Sequence, residues 1–371
     1  MNAIDAVHPS PATPERIFAL IERGRERQAS DLHIEPGQGA AYRIFTHVER
    51  VIGQSLDGAE IAAFLDTSVD RLSRSRLEKI GIADAVYADD RIGSIRIHAS
   101  RGKNGPRLAI RLLARSIPEL ESLALPEIIE SFTGLRSGLV LVAGPTGSGK
   151  STTIASLLDR INATTAKHIV TFEDPIEYQH RWLRSVVTQY EVGRDVSSFA
   201  DGVRGALRAD PDVLFIGELR GVETVSACLQ AAETGHLVFA ALHTPSETPQ
   251  AINRIIGLFP SEEQGNARTR LADALRAVVG LRLLPLRDNS GLRAAAEVMV
   301  ANDAIRRLIR DGATHQLRGV ITSSRREGMQ TLEAHLGDLV STGDIDIAAA
   351  RSASLYAEEI KESPIPAFRR R

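Results

Sequence analysis

Two kinds of hydrophobic pattern divide the chain. In the first part, apolar and polar residues alternate: Leu32 and Ile34 interleave with Asp31, His33 and Glu35, as in a half-buried strand, and Ala41–Phe45 repeats the pattern after a glycine turn. Two more alternating runs, Ile92–His98 and Arg107–Leu113, flank Arg101-Gly-Lys-Asn-Gly105 and read as an antiparallel hairpin. Pairing Ile95 with Leu112 and Ile97 with Ile110 puts these four on one face and leaves Arg96 beside Arg111 on the other. Helical spacing appears from Pro14 onward (Ile17, Phe18, Leu20, Ile21) and from Gly58 to Leu72. Residues 1–115 therefore predict a small α+β domain. Residues 116–135, with Pro118 and Pro126 between short apolar clusters, read as a connector.

From Arg136 the strands become continuous apolar runs: Leu139–Val142, Ile169–Phe172, Val213–Ile216 and Leu237–Leu242, interleaved with helical stretches. Such runs predict a mainly parallel sheet covered on both faces, so residues 136–371 are expected to form an α/β domain. After Pro260 the pattern turns mostly helical, with Leu271, Ala274, Leu275, Val278 and Val279 at helical spacing and one further strand at Ala294–Val300.

The chemistry concentrates in that second domain. Gly144-Pro145-Thr146-Gly147-Ser148-Gly149-Lys150-Ser151-Thr152 fits the phosphate-loop pattern G-x-x-x-x-G-K-[ST] without a mismatch, and lies between a predicted buried strand and a predicted helix. Small residues let backbone N–H groups turn toward nucleotide phosphates, the helix N-terminus adds partial positive charge, and Lys150 reaches the outer phosphates. Ser151 is the expected Mg²⁺ ligand. Three polar clusters come after the loop, each at the end of a predicted parallel strand, where ligands of open α/β sheets bind. Phe172-Glu-Asp-Pro-Ile-Glu-Tyr178 supplies Glu173 and Asp174, either of which is a candidate to approach Mg²⁺ through water. Val213–Ile216 leads to Gly217 and Glu218, with glycine where many phosphate-loop enzymes carry the Mg²⁺ aspartate and Glu218 where they carry the residue that activates water. Thr234-Gly-His-Leu-Val-Phe-Ala-Ala-Leu-His-Thr244 places the candidate catalytic residues His236 and His243 at opposite ends of one strand, His243 at the C-terminal end where the γ-phosphate is expected; at ~3.3 Å per residue they lie about 20 Å apart, which excludes a shared metal.

Composition narrows the setting. A net charge of -2 and aromatics at 4% give neither the field nor the stacking platforms for a nucleic-acid partner. The lone Cys228 rules out an internal disulfide and a multi-cysteine zinc site, and sits among small apolar residues as a core position. Met1–Ser10 has an acid and a proline in place of a signal peptide's basic start and apolar run, and no window approaches the ~20 apolar residues of a membrane span. A cytoplasmic protein is expected, meeting a membrane only through a partner. The tail Pro364–Arg371 is basic and proline-broken and reads as a solvated end.

In this order, the loop, the Glu173–Tyr178 element, the Asp210–Arg220 strand and the Thr234–Thr244 element resemble the secretion and type IV pilus ATPase superfamily. The resemblance covers nearly the whole chain. Ala29-Ser-Asp-Leu-His-Ile-Glu-Pro36 looks like that superfamily's N-terminal segment, and Arg96 and Arg111 match arginines that its members direct at the γ-phosphate. The chain's length and single cysteine resemble the shorter, PilT-type retraction ATPases, as do Ala304-Ile-Arg-Arg-Leu-Ile-Arg-Asp311 and Gly328-Met-Gln-Thr-Leu332; Arg307 and Asp311 stand where the first motif usually has Asn and Glu. The resemblance implies a PAS-like N-terminal domain and a RecA-like motor domain, ATP and Mg²⁺ as ligands, and a homohexameric ring. It also implies recruitment to the inner face of the cytoplasmic membrane by a platform protein, and work in pilus retraction and twitching. Type IVB and type II-like secretion and conjugation-pilus ATPases share most of these motifs, and a weakly hydrolysing ring subunit would carry them too.

Overall fold

The computed structural model describes residues 13–360 except 46, 52–54, 114–115 and 246; Met1–Ser10 and the tail Pro364–Arg371 lie outside the described residues. The chain divides into two compact units, Met1–Arg115 and Ser116–Arg371.

In the first unit, strands β1 (Ala29–Glu35), β2 (Gly39–Ile44), β3 (His47–Val51), β4 (Ile82–Asp89), β5 (Gly93–Gly102) and β6 (Gly105–Leu112) form one antiparallel sheet in the order β3-β2-β1-β6-β5-β4. The hairpin has the register that the alternation predicts: Ile95 faces Leu112, Arg96 faces Arg111 and Ile97 faces Ile110. Leu32, Ile34, Ile95, Ile97 and Ile110 are buried in a core shared with the helices Glu15–Glu26 and Gly58–Ser68. Sequence reasoning missed β3 and β4, the two edge strands. Four of five β3 residues are exposed and only Ala83 of β4 is buried, so neither carries a clear apolar stripe. The helix expected to run through Leu72 stops at Ser68. Asp70 accepts the backbone N–H of Leu72 and Ser73, and so starts a separate helix, Arg71–Ile80.

The second unit is built on β7 (Gly138–Gly144), β8 (His168–Glu173), β9 (Val186–Glu191), β10 (Val213–Ile216), β11 (Leu237–His243), β12 (Leu275–Pro285) and β13 (Leu292–Val300), ordered β13-β12-β7-β11-β10-β8-β9. All neighbours are parallel except β12 and β13. Continuous apolar runs result from burial on both faces. Leu139, Leu141 and Ala143 of β7 join one core with the helix Gly221–Glu233, while Val140 and Val142 join another with the helix Lys150–Thr164.

The region after Leu271 departs from expectation. The helical spacing ends at Ala274, and Leu275, Val278 and Val279 begin the long strand β12, which inserts between β7 and β13. A strand buried on both faces has no period of its own, so neighbouring apolar pairs there mimic a helix. The segment expected as a connector is packed into the second unit: Leu120, Ile129 and Phe132 are buried, and Ser156 on the helix Lys150–Thr164 donates to the Pro118 carbonyl at 2.7 Å. Among the described residues, no helix is long and apolar enough to cross a membrane.

Candidate functional site

Strands β7, β8, β10 and β11 run parallel, so their C-terminal ends open on one edge of the sheet, and the residues at those ends line a cavity of about 260 Å³. From the loop after β7 come Thr146, Gly147, Gly149, Lys150, Ser151 and Thr152; from the end of β8 come Glu173, Asp174, Pro175 and Glu177; Gly217 and Glu218 lie just past β10, and His243 ends β11. The strand-end clusters picked out in the sequence thus converge on one space.

The loop geometry explains its glycines. Gly147 and Gly149 have φ of +74° and +93°, a left-handed backbone that side chains rarely adopt. At Gly144, with φ +154°, a Cβ would lie 2.7 Å from the Leu281 carbonyl oxygen and would also collide with the Ser148 hydroxyl. Ser148 is buried and its Oγ has no hydrogen-bond partner among the described residues. Lys150 is buried too, and its Nζ donates to the carbonyls of Gly144 at 2.9 Å and Pro145 at 2.8 Å. Burial pulls the Lys150 pKa below its ordinary value, and the Glu218 charge opposes that pull. Thr152 Oγ1 and Tyr178 OH are 2.8 Å apart, which ties the start of the loop helix to the segment after β8.

The acidic residues sit in contrasting surroundings. Glu173 is buried, accepts from Thr171 Oγ1 at 2.7 Å and Gln189 Nε2 at 3.1 Å, and has its pKa pushed up to about 7 by desolvation. Glu218 has a cation beside it: Arg220 is 2.6 Å away and also reaches Asp174 at 3.6 Å. His243 bridges the cluster, with Nε2 at 3.8 Å from Glu218 and Nδ1 at 3.5 Å from Lys150 Nζ. Burial and then Lys150 lower its pKa, so the ring is neutral at pH 7. Because an ammonium only donates, Nδ1 is the acceptor and the ring proton lies on Nε2, on the Glu218 side.

The remaining predicted residues lie elsewhere. His236 is at the opposite end of β11 and does not line the cavity; its Nδ1 is 2.9 Å from the carbonyl of Ala231, near the end of the preceding helix. Arg96 and Arg111 stand side by side in the first unit, where Arg111 pairs with Asp31 at 3.1 Å. Sequence reasoning missed four contributors: Glu177, Tyr178, Gln189 and Arg220. Glu177, Tyr178 and Arg220 lie inside quoted motifs, and a polar residue beside a candidate acid was their only signal. Gln189 had none, because β9 buries only Val187 and does not read as a strand.

A parallel sheet with a phosphate-type loop after one strand and a carboxylate cluster at its neighbours' ends defines a nucleotide-handling α/β protein. The model of the family described as "Type II/IV secretion system protein" matches residues 15–353, and the chain belongs to that family. It is 36% identical over 342 residues to the type IV pilus retraction ATPase PilT of Pseudomonas aeruginosa, covering 92% of this chain and 99% of that protein. Its structure is similar to a crystal structure of the pilus retraction motor PilT with bound ADP, with a TM-score of 0.82, 38% identity and coverage of 92% of this chain and 98% of that one. It is also similar to the Legionella pneumophila ATPase DotB, with a TM-score of 0.80, 25% identity and coverage of 95% and 98%.

Proposed function

We propose that this protein is a P-loop ATPase that forms a hexameric ring and powers type IV pilus retraction, and with it twitching motility. One observation carries the catalytic part: the loop, Glu173, Glu218 and His243 line a single cavity at the parallel strands' C-terminal ends. The near full-length similarity to PilT carries the choice of machine.

The residues present fit a nucleoside triphosphate and its Mg²⁺. Gly144 leaves no room for a side chain, the left-handed turns at Gly147 and Gly149 free backbone N–H groups for phosphate oxygens, and Ser148 Oγ is buried without a partner among the described residues. Lys150 would exchange its two carbonyl partners for the β- and γ-phosphates. Ser151 would hold Mg²⁺, with Glu173 or Asp174 behind it through water, and the bound ion would neutralise phosphate charge as the γ-phosphoryl leaves. Glu218 would orient and deprotonate the attacking water; Arg220 holds its carboxylate in place at 2.6 Å. His243, neutral and hydrogen-bearing toward Glu218, would sense the γ-phosphate. Arg96 and Arg111 would stabilise transition-state charge, and His236 would act only through its position at the far end of β11.

Steady-state turnover of the purified protein tests this reading. Wild type should hydrolyse ATP, and Glu218→Gln should bind it with undiminished affinity while losing about a hundredfold or more in kcat. Equal turnover in both would remove Glu218 from its role, and negligible turnover in wild type would favour a weakly hydrolysing ring subunit. The DotB similarity supports a second reading, a secretion or conjugation-pilus ATPase on the same fold. The two readings differ in what a gene deletion abolishes: twitching or export. In either, a membrane platform protein would recruit the ring from the cytoplasm.

A further inference from the structure

Glu297 lies near the middle of β13, is 1% exposed, and has no role in the cavity described above. Its carboxylate sits where two helices begin. One oxygen accepts from the backbone N–H of Thr248 at 2.7 Å and from Thr248 Oγ1 at 3.0 Å; the other accepts from the backbone N–H of Leu332 at 3.3 Å. Thr248 is the first residue of the helix Thr248–Ile256, whose own cap residue, Glu247, makes no side-chain capping bond. Leu332 is the first residue of the helix Leu332–Thr342. A single carboxylate therefore stands at the positive ends of two helix dipoles and satisfies a free N–H of each.

What these two helices connect gives the arrangement its meaning. The helix Thr248–Ile256 starts five residues after His243, the β11 residue that touches Lys150 and Glu218. The helix Leu332–Thr342 is clipped to β13 on both sides of Glu297. Gln330 and Val298 exchange backbone bonds of 2.9 and 3.1 Å, and His335 Nδ1 accepts from the Ala296 N–H at 2.9 Å. It belongs to a separate hydrophobic cluster, with Leu284, Ala295, Leu336 and Leu339, apart from the two cores that flank the sheet. Among the described residues, the Glu297 carboxylate is thus a buried polar joint between the helix that follows His243 and the C-terminal helices.

We propose that Glu297 is a positioning residue that couples the nucleotide state at His243 to the C-terminal helices. This rests on the reading of the cavity as an ATP site. Capping alone does not call for a buried charge: the helix Leu332–Thr342 already has a threonine cap, Thr331, whose Oγ1 accepts from the Ala334 N–H at 3.3 Å, and a serine or threonine would serve the other helix equally well. Accepting from two helix N-termini at once needs both carboxylate oxygens. A glutamine keeps the shape but turns an NH₂ donor toward one of the two N–H donors, so it can hold only one helix.

Hydrogen–deuterium exchange of the full-length protein, with and without a non-hydrolysable ATP analogue, tests the proposal. In wild type the analogue should slow exchange in the loop helix Lys150–Thr164, in Thr248–Ile256 and in Leu332–Thr342. In Glu297→Gln the loop helix should keep its protection while the nucleotide-dependent change at Leu332–Thr342 is lost, with kcat down about fivefold and the KM for ATP unchanged. Thr248→Pro cuts the same joint from the other side, at a first helical position where proline is tolerated, and should behave alike. Nucleotide-dependent protection of Leu332–Thr342 that survives in both variants, or is absent from wild type, would overturn the coupling. Absence of protection in the wild-type loop helix would overturn the ATP site itself.

Discussion

Glu173 and Glu218 leave neighbouring strands, yet their surroundings suit them to different tasks. Glu218 stays beside the Arg220 guanidinium, while Glu173 is buried among neutral donors, the Thr171 hydroxyl, the Gln189 amide and the Glu177 backbone, and burial pushes its pKa up to about 7. A carboxyl raised from 4.5 to about 7 in the folded state contributes stability that is full below pH 4.5 and is lost as pH rises through 7, because the ionised form is still desolvated. Nucleotide-free Glu173→Gln should therefore unfold later than wild type at pH 8, by on the order of 1–3 kcal/mol, and the advantage should shrink toward pH 4.5. Thermal melts at the two pH values would show it, and a gap independent of pH would contradict it. Glu173 and Glu218 were legible in the sequence because each ends an apolar run. The difference between them was not, since it depends on Gln189 from a strand with one buried residue and on the rotamer of Arg220.

At the scale of elements, the loop and the first unit's hairpin carry the sharpest expectations. Gly144→Ala would drive a Cβ against both the Leu281 carbonyl and the Ser148 hydroxyl, forcing apart β12 and the turn that holds Lys150. Nucleotide binding should fall by at least about tenfold, measured by titration with a fluorescent ATP analogue; Gly205→Ala, with open space around its Cβ, is the matched control and should bind normally. Arg111→Ala should leave nucleotide affinity intact and lower turnover, by up to the ~10³–10⁵-fold range of arginines that act on transferring phosphoryl groups. Unchanged turnover would remove that arginine from the mechanism. Burial decides which elements the pattern reveals. The hairpin register was readable because Ile95, Ile97 and Ile110 are wholly buried while Arg96 and Arg111 are not, so a slip of one residue would invert the faces. Edge strands β3 and β4 lack that contrast, and β12 hides its nature by being buried on both sides.

For the whole molecule, the sheet order makes sense of the chemistry placed at strand ends. Strands β7, β11, β10 and β8 are consecutive neighbours, so the loop, His243, Glu218 and Glu173 line up along one sheet edge without any residue travelling far. That alignment accounts for an ATPase; it does not choose a filament. The choice rests on similarity to PilT over nearly the full length of both chains, against a lower identity to DotB on an equally similar fold. The most direct test is deletion of the gene in its own host, complemented with wild type or with Glu218→Gln, scoring surface twitching and pilus number together. A retraction motor predicts lost twitching with excess surface pili, restored by wild type and not by Glu218→Gln. Normal twitching and pilus number, with export of a secreted protein blocked instead, would contradict it.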